Sequence, residues 1–186
     1  ADEMALMIDM SKEFGYKHLS TGDLLRDEVK SGSDLGKELN EIMQTGALVP
    51  GETVLKILRN AMTEGGTKPI SGRYLIDGYP RAMDQVTGFE SAICKPTFVL
   101  AFDAAESVLE ERLVNRGKTS GRADDNVESI RKRFATFKAQ SEPVITTYSA
   151  QGLVKSLNSE RPVDEVYADV RPIFEAEIAA HAPTSE

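Results

Sequence analysis

The chain has 186 residues, of which 40% are hydrophobic and 28% charged, and carries a formal net charge of −8 at pH 7. That balance is too apolar for a disordered tail, and the length suits one compact domain able to bury roughly 70% of its unfolded surface. The acid excess argues against a nucleic-acid coat protein, and one Cys with two distant His (His18, His181) excludes both a disulfide framework and a zinc cluster.

Taken in chain order, Met4, Met7, Ile8 and Phe14 have helical spacing, and Tyr16–Leu19 reads as a first strand. Ser20-Thr21 supplies a helix cap directly after it. Pro50 opens a helix whose apolar face is Val54, Ile57, Leu58, Ala61 and Met62. Tyr74–Ile76 is a second strand, stopped by Asp77-Gly78-Tyr79-Pro80. Thr97–Phe102 is a third. Its apolar core, Phe98 to Phe102, is as long as any unbroken apolar run in the chain, far short of the ~18 residues a membrane span needs. Val108, Leu109 and Leu113 mark one later helix, and Ile130, Phe134 and Phe137 another, with Asp124 or Asp125 as its cap. Pro143 and Pro162 sit at helix starts, Gly152 at a helix end, and Leu153–Leu157 is a weaker fourth strand. Ala182–Glu186 should fray. Strands alternating with helices predict an α/β fold, a mostly parallel sheet with helices on both faces. An all-helical bundle would have to absorb Thr97–Phe102 and the break at 77–80.

In an open parallel sheet, ligands bind beyond the carboxyl ends of the strands. Thr21-Gly22-Asp23-Leu24-Leu25-Arg26 follows the first strand and Asp77-Gly78-Tyr79-Pro80-Arg81 the second. Each ends in an arginine, whose planar fork suits phosphate oxygens. From Arg112 to Arg133, 22 residues hold 7 of the 22 basic residues: Arg112, Arg116, Lys118, Arg122, Arg131, Lys132 and Arg133. Gly117, Ser120 and Gly121 make the middle of this cluster a loop between helices. Arginines on such a loop can close over a polyphosphate, neutralise it and exclude water, although Glu110, Glu111 and Glu128 also allow an ordinary charged helix face. Asp77, ending an apolar strand, stands where phosphate-handling proteins hold magnesium directly or through water, and equally where a turn places Asp before Gly. Cys94 has no activating neighbour beyond Lys95.

The stretches Tyr16 to Arg26, Leu48-Val49-Pro50, Leu75 to Arg81 and Arg116 to Asn126 closely resemble the nucleoside monophosphate kinases, and among them the short-lid, cytosolic adenylate kinases. The resemblance runs to about Ile178. It implies a P-loop kinase-like three-layer sandwich, a single domain with a helical acceptor-binding flap over residues 20–49 and a short lid over 115–125. It implies transfer of the terminal phosphoryl group of ATP to AMP, giving two ADP, with magnesium on the ATP side, by a cytoplasmic monomer without nucleic-acid or membrane partners. Thr21, Arg26, the backbone of Ala47, Leu48 and Val49, Gly78, Tyr79, Pro80, Arg81 and Gln85 would hold AMP, with Arg26 and Arg81 on its phosphate and Gln85 on its base. Arg116, Arg122 and Arg133 would surround the transferring phosphoryl, Arg122 and Arg133 also touching AMP. Arg112, Arg116 and Arg161 would serve ATP, and Asp77 would support magnesium. Thr21 and Gln85 favour AMP, since relatives acting on UMP and CMP tend to carry Ala and Asn there. A pyrimidine nucleotide kinase is one alternative reading. A non-catalytic nucleotide-binding domain is the other, and a dinucleotide oxidoreductase is excluded by the lack of Gly-x-Gly-x-x-Gly.

One family motif, the loop Gly-x-x-x-x-Gly-Lys-Ser/Thr, does not occur in these residues, whose first glycine is Gly15. In the family it follows a central strand and opens a helix matching Ala1–Phe14 here. The expectation is that roughly 20–30 further residues lie upstream, one strand and one loop at ordinary lengths. An intact mass of 20.3 kDa for a folded, active preparation would refute it.

Overall fold

The structure, a computed structural model, describes residues 3–66, 68–70, 72–122 and 126–181. Lid positions Ala123, Asp124 and Asp125 and the tail Ala182–Glu186 lie outside the described residues. The elements run α1 (Glu3–Phe14), β1 (Lys17–Ser20), α2 (Thr21–Lys30), α3 (Asp34–Gln44), α4 (Gly51–Met62), β2 (Tyr74–Asp77), α5 (Met83–Ala92), β3 (Val99–Asp103), α6 (Glu106–Gly117) and α7 (Val127–Thr136). A π-helical turn (Phe137–Ser141), α8 (Glu142–Ala150), β4 (Val154–Asn158) and α9 (Val163–Ala180) complete the order.

The strands are parallel, as the alternation predicts, but they form two pairs. β1 pairs with β2 from Lys17 opposite Tyr74 to Ser20 opposite Asp77, and β3 pairs with β4 from Val99 opposite Val154 to Asp103 opposite Asn158. Among the described residues no strand hydrogen-bonds β2 to β3, and the four strands form two parallel ribbons. Shared packing holds the ribbons in one layer. Leu75 of β2, Leu100 and Phe102 of β3 and Leu157 of β4 all pack on α1 and α9 through Leu6, Met10, Val166, Val170 and Phe174. Phe174 is fully buried, with the rings of Phe14, Tyr16 and Phe98 at 5.5, 5.2 and 5.3 Å. It therefore touches the approach to β1 and the approach to β3 at once. The opposite face is covered in two patches. Leu58, Met62 and Phe89 of α4 and α5 lie on Leu19, Tyr74 and Ile76, while Val86, Val144 and Tyr148 of α5 and α8 lie on Val99 and Val154. Burial on both faces is what parallel strands require, and the result is a helix–strand–helix sandwich.

Local chemistry sets the breaks. The Ser20 hydroxyl accepts the Asp23 N–H at 3.3 Å and starts α2 the moment β1 ends. Pro50 and Pro162 precede α4 and α9, Pro143 lies in the first turn of α8, and Gly152 adopts φ +73° just beyond it. The cap of α7 is Asn126, whose side chain accepts the Ser129 N–H, and not Asp124 or Asp125. Asn does this as well as Asp, and α7 starts one residue too late for Asp125 and two too late for Asp124. α5 has little helical signal in sequence, because Thr87 and Gly88 interrupt it. Its inward residues Gln85, Val86 and Phe89 hold it by packing instead.

Candidate active site

β1 and β2 end together at one rim of the layer. Register places Ser20 beside Asp77, so the two motifs after β1 and β2 start side by side. Thr21 fastens them. Its buried Oγ1 lies 3.0 Å from the carbonyl oxygens of both Asp77 and Gly78, sharing one proton between them. Gly78 then turns with φ +72°, and a Cβ there would stand 2.6 Å from Arg81 Nη2 and 3.2 Å from Thr21 Oγ1. Only glycine meets both demands.

The turn folds Arg81 back on itself. Arg81 Nε donates to Gly78 O at 2.6 Å, its backbone N–H donates to Gln85 Oε1 at 2.8 Å, and its carbonyl accepts from Ser141 Oγ at 2.8 Å. Ser141 ends the π-helical turn, a distortion that often re-aims residues at functional sites. Gln85, 4% exposed, reaches Val49 O through Nε2 at 3.5 Å. It thus links the Arg81 turn to the Ala47–Val49 segment, with one amide proton still to donate. Pro80 follows Tyr79 through a cis bond, and the Tyr79 hydroxyl donates to Gln85 O at 3.2 Å. Burial, with the Asp84 charge, pushes the Tyr79 phenol up to about 12, so it remains a donor at neutral pH.

Asp23 is the residue that sequence reasoning quoted without assigning a role. Its Oδ1 receives Arg26 Nη2 at 2.6 Å and Nε at 3.2 Å, and Arg122 Nη2 at 3.5 Å. Two guanidinium groups, from positions 26 and 122, therefore meet on one carboxylate in the first turn of α2. Burial tends to raise the Asp23 pKa, but the Arg26 hydrogen bond and the Arg26 and Arg122 charges outweigh it and hold it below the usual carboxylate range. The i, i+3 spacing to Arg26 was the available signal; Arg122 was beyond any local pattern.

Asp77 stands at the end of β2 with its Oδ2 3.9 Å from His18 Nε2, a buried nitrogen that has no hydrogen-bond partner. No group of three or more Asp, Glu, His or Cys forms a ready metal cage among the described residues. A lone, part-exposed carboxylate suits a hard cation that keeps most of its water shell.

The remaining arginines are spread out. Arg116 lies in the last turn of α6 and Arg133 in the last turn of α7, its backbone N close to Gly46. Arg112 donates to Ser159 O at 2.8 Å and Glu160 O at 3.1 Å, joining α6 to the end of β4. Arg161 pairs with Asp169 and with Glu165 of α9. The structure thus gathers Thr21, Arg26, Val49, Gly78, Arg81, Gln85 and Arg122 around one rim, while Arg112 and Arg161 are engaged at the β3–β4 end.

Comparison with known proteins agrees with this geometry. Residues 6–153 match the family described as adenylate kinase. The chain is 51% identical over 158 residues to adenylate kinase isoenzyme 1 of Oryctolagus cuniculus, covering 85% of this chain and 80% of that protein. It is 50% identical over 159 residues to the Homo sapiens protein of that name, covering 86% and 81%, and 49% identical over 158 residues to the Caenorhabditis elegans one, covering 85% and 75%. With the match spanning most of its length, the chain belongs to the adenylate kinase family and is an ATP:AMP phosphotransferase.

Proposed function

We propose that the β1–β2 rim is the acceptor site of this phosphotransferase, with AMP phosphate held by Arg26, Arg81 and Arg122 and its base received between Gln85 and the backbone of Ala47–Val49. The observation that carries this reading is the convergence of Arg26 and Arg122 on Asp23. Two guanidinium groups already drawn to one anion are placed to grip a phosphate at the N-terminus of α2, where unpaired N–H groups add to the field. Thr21 shapes the pocket indirectly, since its hydroxyl is spent on the ends of β2.

Phosphoryl transfer needs positioning and charge stabilisation more than covalent chemistry. Arg122, Arg133 and Arg116 neutralise charge on the transferring group as residues 20–49 and 115–125 close and expel water, which also keeps ATP from donating to water. Arg112 frames the ATP side through the Ser159 and Glu160 carbonyls it holds, and Arg161 approaches the ATP adenine by its own backbone. Asp77 would hold magnesium through water, and the ion would supply charge neutralisation on the ATP phosphates. The protein is read as a cytoplasmic monomer, as its resemblance to the short-lid adenylate kinases implies; no described helix is long and apolar enough to cross a membrane.

ADP formation from ATP with AMP, UMP or CMP as acceptor tests the reading. AMP should be the preferred acceptor, and Thr21→Ala should narrow that preference. Equal rates with UMP would move the site to the pyrimidine class, and AMP binding without ADP formation would make it non-catalytic.

A further inference from the structure

One set of contacts joins the acceptor segment to the helix that carries Arg133, and the roles above leave it unused. α3 ends at Gln44, and the residues after it cross α7. Ser129, 4% exposed in the first turn of α7, has its Oγ 3.2 Å from Gln44 O. Thr136, two turns on and on the same face, has its Oγ1 3.3 Å from Gly46 O. Asn126 settles where the Ser129 proton goes. Its Oδ1 accepts the Ser129 N–H at 3.0 Å, so its Nδ2 donates to Ser129 Oγ, also at 3.0 Å, and the hydroxyl proton is left for Gln44 O. Between the two hydroxyls the backbones nearly touch. Gly46 has φ +74°, and a Cβ there would lie 3.0 Å from Lys132 Cβ and 3.3 Å from Ser129 O.

We propose that Ser129 and Thr136 are positioning residues for the acceptor nucleotide, fastening the flap to α7 at Gln44 and Gly46. They touch no substrate. They act through the backbone that runs directly on into Ala47, Leu48 and Val49, where Val49 O meets Gln85. Asn126, the cap of α7 just past the expected lid, orients the first of these hydroxyls, so the start of α7 and the end of α3 share one hydrogen-bond chain. The inference rests on the acceptor role proposed for Ala47–Val49.

The test uses the full-length protein, the pair Ser129→Ala/Thr136→Val and the conservative pair Ser129→Thr/Thr136→Ser. AMP and MgATP affinities are measured calorimetrically, with steady-state constants and thermal midpoints alongside. The first pair should weaken AMP binding and raise its KM about tenfold, about threefold per lost hydrogen bond. MgATP affinity should stay within about twofold and kcat at saturating AMP should fall less, while the conservative pair keeps near-native AMP affinity. A lowered thermal midpoint with unchanged AMP affinity, or equal losses for both nucleotides, overturns the proposal as mere scaffolding. If the first pair does not fold, Thr136→Val alone is decisive: about a threefold loss for AMP supports it, and no loss refutes it. Failure of the wild-type protein to bind AMP would instead refute the acceptor site itself, and this inference with it.

Discussion

The two ends of the strand layer use arginine differently. At the β1–β2 end, Arg26 and Arg122 share a side-chain carboxylate and Arg81 lies along its own turn, so the cations gather at a part-exposed rim. At the β3–β4 end, Arg112 caps the carbonyls of Ser159 and Glu160, and Arg161 is drawn to Asp169 on α9. Arg112, spent on two backbone carbonyls, holds the fold, whereas Arg26 and Arg122, held by one part-exposed carboxylate, can exchange that partner for a phosphate. Residue type is the same for these three; the partner decides the task.

The largest expected effect tests the first half of that contrast. Arg81→Ala and Arg122→Ala should each lower kcat/KM for AMP by about 10²–10³, about 2.7–4 kcal/mol in the transition state, in a coupled assay of ADP formation. Thermal midpoints should move little, and native turnover in either variant breaks the comparison. Next comes its counterpart. Arg112→Ala leaves two carbonyls without their donor and should cost about 1–3 kcal/mol of stability in urea unfolding, with a smaller kinetic effect. Near-native stability there would show that the β3–β4 arginines are also ligand-facing. Thr21→Ala should cost about 1–2 kcal/mol, because it unpins the end of β2, and unfolding data would separate that loss from any change in acceptor choice. The smallest effect is electrostatic. The Asp23 pKa is lowered by folding, so its contribution is complete above about pH 4 and fades as pH falls through the lower native value. Asp23→Asn should therefore flatten the acid limb of the stability curve below about pH 4, and an unchanged limb would show that the arginines do not hold this carboxylate.

Much of this was legible in order along the chain. The strand positions predicted at Tyr16–Leu19, Tyr74–Ile76, Thr97–Phe102 and Leu153–Leu157 differ from the observed strands by a residue or two at the ends. β-branched and aromatic runs between strong breakers leave little else for those segments to be. Gly78 was readable as part of the break that stops β2, and its φ of +72° supplies the reason. α5 was not readable, since its helix is held by Gln85, Val86 and Phe89 packing inward and not by its own periodicity. Asn126 as the cap of α7 lay within a run of three adjacent candidates that propensity alone does not rank.

What the sequence determined by itself was the local grammar: which segments extend, which coil, where each motif stops, and that arginines follow two strand ends. Those outcomes depend on neighbours within a few residues, and so the linear order carries them. Tertiary structure alone decided partnership. Asp23 meeting Arg122 across 99 positions, Ser141 reaching Arg81, and Ser129 clasping Gln44 all depend on which surfaces the core brings together. Hydrogen bonds act over about 3 Å of space whatever the distance along the chain, so no local pattern encodes them.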